Sequence, residues 1–438
     1  MHWTLVLFLI IGGLIGLMSL GVPIALAFLG VNCVAMIIMF DGLDGLRQLV
    51  LSMYSSVTLF ALVPIPMFIL MGEIMFHSGI AFKMMDALDK WIGRLPGRLS
   101  ILAVAGGTIF GTLSGSSVAS TAMLGEVLVP RMESQGYRSQ MTIGPILGSG
   151  TLAAMIPPSA LGVLLASLAK VSVADFLLAI VIPGVIMALV FAIYIVARCT
   201  LQPEIAPKYD MPPTSMKTRL IDTAKYILPL GIIIFLVIGV MIIGVATPNE
   251  AAALGALGSL ALAFIYNKGF KWSIIRKSLM GTITVTGMIL LILAGSTAFS
   301  QLLAFTGASA QLVEFVSGLN LPALVLVGIM QVVLIIMGMF MEPLSILMIA
   351  VPLMMPIIIS LGLDPIWFCV LVMLNMEMAA ITPPFGMSLF VMKGILGRRT
   401  SMGQVYAASY PFVALDVVVM ALLMAFPALA LWLPSLSR

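Results

Sequence analysis

Ten stretches of this chain stay apolar for about 20 residues each, and that repetition leaves it few ways to fold. A segment in hydrocarbon must satisfy its own backbone hydrogen bonds, and runs this long and continuous do so as helices. They cover residues 3–19, 22–40, 56–76, 139–169, 174–197, 227–246, 250–267, 281–303, 366–392 and 404–433. The chain as a whole is 62% hydrophobic and 9% charged. Soluble domains carry roughly 25% charge, so an ordinary soluble fold is excluded. The expected fold class is an all-α polytopic membrane protein. The net charge of +4 and pI near 9.0 are therefore a matter of topology rather than of nucleic-acid binding, for which the composition is wrong. Cys33, Cys199 and Cys369 stand far apart without CxxC spacing, so neither a disulfide framework nor a metal ligand set is read from them. The first run has no Lys or Arg before it and reads as a span, not a cleaved signal.

Two further apolar stretches, 99–130 and 322–358, are interrupted near their middles by glycine, serine, proline or an acid, and read as re-entrant hairpins. The distribution of Lys and Arg tests that layout, because cytoplasmic loops collect them. With the N-terminus periplasmic, 18 of the 21 fall inside, among them Arg94, Lys208, Lys271 and Arg398. Arg47, Lys170 and Arg438 fall outside. Counting either hairpin as a full crossing would degrade that ratio, so the first opens from the cytoplasm and the second from the periplasm. Between residues 83 and 98, Met84, Leu88, Trp91 and Leu95 share one helical face while Lys83, Asp86, Lys90 and Arg94 take the other, the pattern of an interfacial amphipathic helix.

An offset of 226 residues superposes Leu95-Pro96 on Leu321-Pro322, Pro130 on Pro356, and Pro157-Pro158 on Pro383-Pro384. The chain thus divides into a first repeat (1–200), a cytoplasmic linker (201–226) and a second repeat (227–438). Each repeat has five spans and a hairpin, and an odd number of crossings inverts the second relative to the first. Inverted repeats with interrupted helices are the signature of secondary transporters.

The break points hold the chemistry. The first hairpin turns at GTLSGSSVAS, residues 111–120, and the next span, 139–169, breaks at MIPPSALG, where Pro157 and Pro158 remove backbone donors. Freed carbonyls, hydroxyls and half-helix ends make a hard oxygen cage for an alkali cation. Their counterparts are GMFMEPLS (338–345) and NMEMAAITPPFG (375–386) in the broken span 366–392, where Glu342, Asn375, Glu377 and Thr382 add oxygen donors. Glu342, at a predicted tip, reads as functional. Glu73, Glu126, Glu250 and Asp416 read as structurally paired.

Taken together, the two hairpin turns and the breaks at IPPS and TPPFG resemble the large permease subunit of tripartite ATP-independent periplasmic (TRAP) transporters, the DctM type, over essentially the whole chain. That resemblance implies a sodium-coupled, elevator-type importer of organic acids in the bacterial inner membrane. Sodium is the coupling ion and no cofactor is expected. The implied partners are a small four-span membrane subunit, expected as a separate chain since no such segment precedes residue 1, and a periplasmic substrate-binding protein. By the same resemblance Ser114, Gly115, Ser116 and Ser117 with Pro157 and Pro158 form one sodium site. Gly338 and Glu342 with Asn375, Thr382, Pro383 and Gly386 form the other. Family members often have Asp at the position of Glu342.

Substrate contacts are expected from Ser116, Ser159, Asn375 and Thr382 at the breaks. With no Lys or Arg at either tip, half-helix N-termini and sodium must balance the substrate's charge. The hairpins and broken helices would move as one block against a scaffold of the remaining spans. One competing reading is a related sodium/carboxylate symporter that needs no binding protein. Another is an intramembrane serine hydrolase, disfavoured because His2 and His77 are far from the serines along the chain and no HExxH is present.

Overall fold

The computed structural model describes residues 3–39, 42–93, 95–207, 215–269, 271–319 and 321–436. Arg94, Lys208 and Arg438 therefore lie outside the described residues, as does 208–214 of the linker. Among the described residues the fold is entirely helical. The first half comprises α1 (Trp3–Ser19), α2 (Ile24–Met39), α3 (Leu43–Val57), α4 (Pro64–His77), α5 (Ile80–Ile92), α6 (Arg98–Ser114), α7 (Ser117–Ser134), α8 (Ser139–Met155), α9 (Ala160–Ala169), α10 (Val173–Ala179) and α11 (Val181–Leu201). The second begins with α12 (Met216–Asp222), α13 (Leu228–Ile234) and α14 (Val240–Ile242), one helical stretch interrupted by two π-helical segments. It continues with α15 (Pro248–Tyr266), α16 (Trp272–Phe305), α17 (Ala308–Gly318), α18 (Ala323–Gly338), α19 (Pro343–Ser360), α20 (Pro365–Ile381), α21 (Met387–Leu396), α22 (Met402–Ala425) and α23 (Ala428–Leu436).

Seven helical stretches of the described residues are long and apolar enough to cross a membrane, and the bent pair α8–α9 passes the same test when taken together. The predicted hairpins are present as α6–α7 and α18–α19, each with its two arms packed together. Several expected spans are divided where the chain punctuates them. Pro427 follows the end of α22, and the stretch read as 404–433 continues as α23. In the other direction, the run at 281–303 is part of a 34-residue helix, α16. At a rise of about 1.5 Å per residue it is roughly 50 Å long, well beyond the hydrocarbon thickness of about 30 Å.

Helix α3 was not expected. Its Asp44 and Arg47 and its serines keep its hydropathy below that of a span, yet Leu49 is buried while Leu43, Val50 and Tyr54 are exposed. The amphipathic arm forms as α5, earlier than the predicted 83–98, because Gly93 at φ 66° ends it. It is tied down on both sides. The buried Arg98 side chain meets Asp89 at 2.9 Å, while Lys90 pairs with Asp222 and Trp91 Nε1 donates to Thr223 Oγ1 at 2.7 Å.

Two packing groups follow. In one, α4 lies on α15 and α16, and α16 on α2 and α3. In the other, α6 and α7 pack on α8, α18 and α19 pack on α20, and α8 packs on α20. Helices α11 and α22 pack on α8 as well, so by contact they lie with the hairpin group. The fit between α8 and α22 requires glycine, since a Cβ on Gly148 would sit 2.3 Å from the Phe412 ring.

Candidate functional site

The first hairpin turns on two residues. Gly115 adopts φ 59°, which closes α6 at Ser114 in a left-handed cap, and the chain restarts at once as α7 with the Ser116 hydroxyl accepting from Ala119 N at 3.3 Å. The broken span is built the same way: α8 ends at Met155, Pro157 and Pro158 carry the break, and α9 starts with the Ser159 hydroxyl accepting from Gly162 N at 3.0 Å. The two halves of that span meet at 51°. Tip and break touch, because a Cβ on Gly115 would lie 3.5 Å from the Pro158 carbonyl oxygen. Two half-helix N-termini, those of α7 and α9, are thereby brought together beside two half-helix C-termini.

These pieces form the wall of a cavity of about 440 Å³. Ser114, Gly115, Ser116, Ala119, Ala160 and Leu161 line one side, and Phe68, Gly72, Glu73 and His77 of α4 with Val285 and Ile289 of α16 line the other. It is the seam between the two packing groups. Among the described residues no Lys or Arg lines it. The approach at its edge is close, since a Cβ on Gly72 would stand 2.5 Å from the Ser114 carbonyl oxygen. His77, distant in sequence, thus shares the cleft with the serines, contrary to the expected separation. Its Nε2 is 3.3 Å from Glu73 Oε2, while Ser114 and Ser120 hydroxyls share a 3.0 Å bond and Ser116 caps its helix. Those engagements occupy the hydroxyls, and among the described residues no serine pairs with His77.

The second set is arranged differently. Gly338 ends α18, Glu342 stands at the N-cap of α19 without a side-chain capping bond, and Gly386 is the N-cap of α21. Gly338 abuts the end of α20, where its Cβ would be 2.6 Å from Ala379 Cβ, and the Phe340 and Phe385 rings meet with centroids 6.2 Å apart. Thr382 Oγ1 donates to Met378 O at 2.7 Å, and Tyr406 OH donates to the Pro384 carbonyl, so the Pro383–Pro384 break is held by α22. Asn375 lies away from this group, two turns up α20, donating from Nδ2 to the backbone and side-chain oxygens of Gln331 at 3.0 Å. Of the four residues expected to touch substrate, Ser116 lines the cleft; Ser159, Asn375 and Thr382 are buried beside their bonding partners.

Ser117 and Glu377 join across the halves. The Ser117 hydroxyl donates to Glu377 Oε2 at 2.6 Å, so Glu377, read as a donor within the second half, serves the first hairpin instead. A lone acid in an uncharged helix was the available signal; its partner, 260 residues away in sequence, was not. Glu250 is paired as expected, in a capping box with Thr247. Asp416 is not: it is fully buried and neither carboxylate oxygen has a hydrogen-bond partner.

Helical hairpins paired with proline-broken spans, lining a cleft between two packing groups, define a polytopic membrane transporter. Comparison with known proteins agrees. The family described as "Tripartite ATP-independent periplasmic transporter, DctM component" matches residues 11–429, and the chain belongs to it. It is 32% identical to the C4-dicarboxylate TRAP transporter large permease protein DctM of Pseudomonas aeruginosa, covering 93% of each chain. It is 28% identical to the ectoine TRAP transporter large permease protein TeaC of Halomonas elongata, over 98% of this chain and 99% of that one. Among solved structures, the YdaH transporter of Alcanivorax borkumensis has a similar fold, with a TM-score of 0.67 at 13% identity and 89% coverage of each chain. These relatives are transporters, not enzymes.

Proposed function

We propose that this chain imports a small organic acid across the bacterial inner membrane, driven by sodium, as the large membrane subunit of a TRAP transporter. The observation that carries the reading is the cleft in which the first hairpin tip and the Pro157–Pro158 break face the scaffold. The N-termini of α7 and α9 there offer partial positive charge to a carboxylate. The C-terminal carbonyls of α6 and α8 offer oxygens to sodium, and each inward sodium gains about 2.3 kcal/mol per 100 mV of membrane potential. Relatives named for C4-dicarboxylates support the substrate class.

Glu342, Thr382, Pro383 and Gly386 supply the second sodium site, with Gly338 packing its hairpin end in place. The two halves act as inverted repeats, and the hairpin group, with α11 and α22, moves as one block against the scaffold. With the N-terminus periplasmic, the His77 end of the cleft faces the cytoplasm, so this is a cytoplasm-facing arrangement. Family membership supports two partners, a small membrane subunit and a periplasmic binding protein that delivers the substrate. A binding protein suits a cleft without fixed cations, where a free anion would dehydrate at a cost and bind weakly.

Proteoliposomes holding both membrane subunits test this. Uptake of a labelled organic acid is expected when sodium and the binding protein are supplied outside. Undiminished uptake from sodium-free buffer with a proton gradient would remove the sodium assignment, and saturable sodium-driven uptake without the binding protein would favour a direct symporter. Orientation is checked separately: cysteines at Ser215 and Gly269 are expected to be shielded from an impermeant thiol reagent in intact cells while one at Ser309 reacts.

A further inference from the structure

The hydrogen bond from Ser117 to Glu377 leads to a feature that the transport reading leaves unused. Glu377 is 2% exposed and Asp416 0%. Trp367 Nε1 donates to Leu423 O at 2.8 Å and Tyr406 OH to Pro384 O at 2.9 Å, a register that runs α20 antiparallel to α22 and sets Glu377 level with Val413, one turn from Asp416. Two carboxylates thus share the interior of the block, on α20 and α22, two helices that pack together. No described cation compensates them. Of the helices packed on α20, α8, α9, α18 and α19 carry no Lys or Arg. Arg131 of α7 is engaged with Asp86, and Lys393 of α21 donates to the Gly397 and Thr400 carbonyls. On α11, which meets α22 through Phe191 and Tyr194 against Phe412, Arg198 stands one turn beyond Tyr194 with its Nε buried and unpartnered, and it forms no ion pair with either carboxylate.

Two neighbouring buried carboxylates cannot both stay ionised without a positive partner, because each pays for desolvation and each repels the other. A second observation marks the same place. Thr121 is fully buried, and its hydroxyl has no partner. It sits one turn beyond Ser117 on the face of α7 that meets Gly150 of α8, whose Cβ would lie 2.2 Å from Thr121 Oγ1 and 3.2 Å from the Ser117 carbonyl. Unmet polar atoms thus stand on both α7 and α22, and none of Ser117, Thr121, Glu377 and Asp416 lines the cleft.

We infer that Glu377 and Asp416 form a proton-binding pair that holds one resident proton inside the block and, through Ser117, fastens the first hairpin to the second half. With the proton bound the pair carries at most one negative charge. Glu377 then accepts from Ser117, and the proton lies between the carboxyl groups. A proton fits better than a metal ion, since Asp416 offers oxygens with no other donor bonded to them and no group of three or more His, Cys, Asp or Glu able to hold a metal is found among the described residues.

Infrared difference spectroscopy of the purified protein tests this by the carbonyl stretch of a protonated carboxyl, which ionised carboxylates lack. The wild type at neutral pH is expected to show such a band, with or without sodium. It should shift when the chain is grown with isotopically labelled aspartate or glutamate, which requires no substitution. It should also lose intensity in the double variant Glu377→Gln with Asp416→Asn, whose amides imitate the neutral form. Any of three results would overturn the proposal: no protonated-carboxyl band in the wild type, a band insensitive to both labels, or a band that disappears when sodium is added, which would make the occupant a sodium ion.

Discussion

The two hairpin tips occupy equivalent places in the sequence but different surroundings. The first is rich in hydroxyls, turns on two residues, and forms a wall of the seam between the hairpin group and α4 and α16. The second carries a carboxylate and an exposed phenylalanine, Phe340, and is packed onto its own broken helix through Gly338 and Phe385; Leu344 is its contribution to the cleft. The lesson is that a repeated motif need not have a repeated role. In this conformation the first tip faces α4 and α16 across the cleft, and the second is packed on α20 of its own half.

That contrast can be broken by substitution. The largest expected effect is at the seam. In Gly72→Leu the added side chain would meet the Ser114 carbonyl, backbone that cannot swing aside, so uptake should be lost while the purified protein still folds. A smaller enlargement at the second tip, Gly338→Ala, presses on Ala379 within one packing group. It should appear as lower thermal stability, about 1–3 kcal/mol, with uptake by the folded fraction retained. Observing the reverse assignment would undo the distinction. Ser117→Ala removes the donor to a buried carboxylate and should destabilise by roughly 1–3 kcal/mol in a denaturation series. The smallest effect belongs to the caps: Ser159→Ala loses the bond from Gly162 N and should cost about 1 kcal/mol.

Much of this was legible in the sequence because the features are local. Pro157-Pro158 and Pro383-Pro384 cannot continue a regular helix, and GTLSGSS can be read as a turn without any tertiary knowledge. The hidden part depends on long-range contact. That Ser117 would meet Glu377 rather than face its own break, that Asn375 would be taken by Gln331, and that His77 would share a cleft with Ser114 all require the packing of α7, α18, α20 and α4. Helix α3 escaped for a different reason: half its residues are polar, and its buried face becomes visible only against α16 and α2. The packing of α11 and α22 on α8 was hidden too, because an apolar span does not reveal which neighbour it packs on.

The central claim is that the hairpin group moves as a unit relative to the scaffold. Spin labels can be placed at exposed positions, Tyr54 on α3 of the scaffold and Tyr410 and Phe390 on α22 and α21 of the block. Distances are then measured in liposomes before and after sodium, substrate and the binding protein are supplied. The account predicts that the distribution between positions 54 and 410 shifts on addition while that between 410 and 390 is unchanged. Uptake that proceeds with both distributions unchanged, or with the distance inside the block changing as much as the one across the seam, would contradict it.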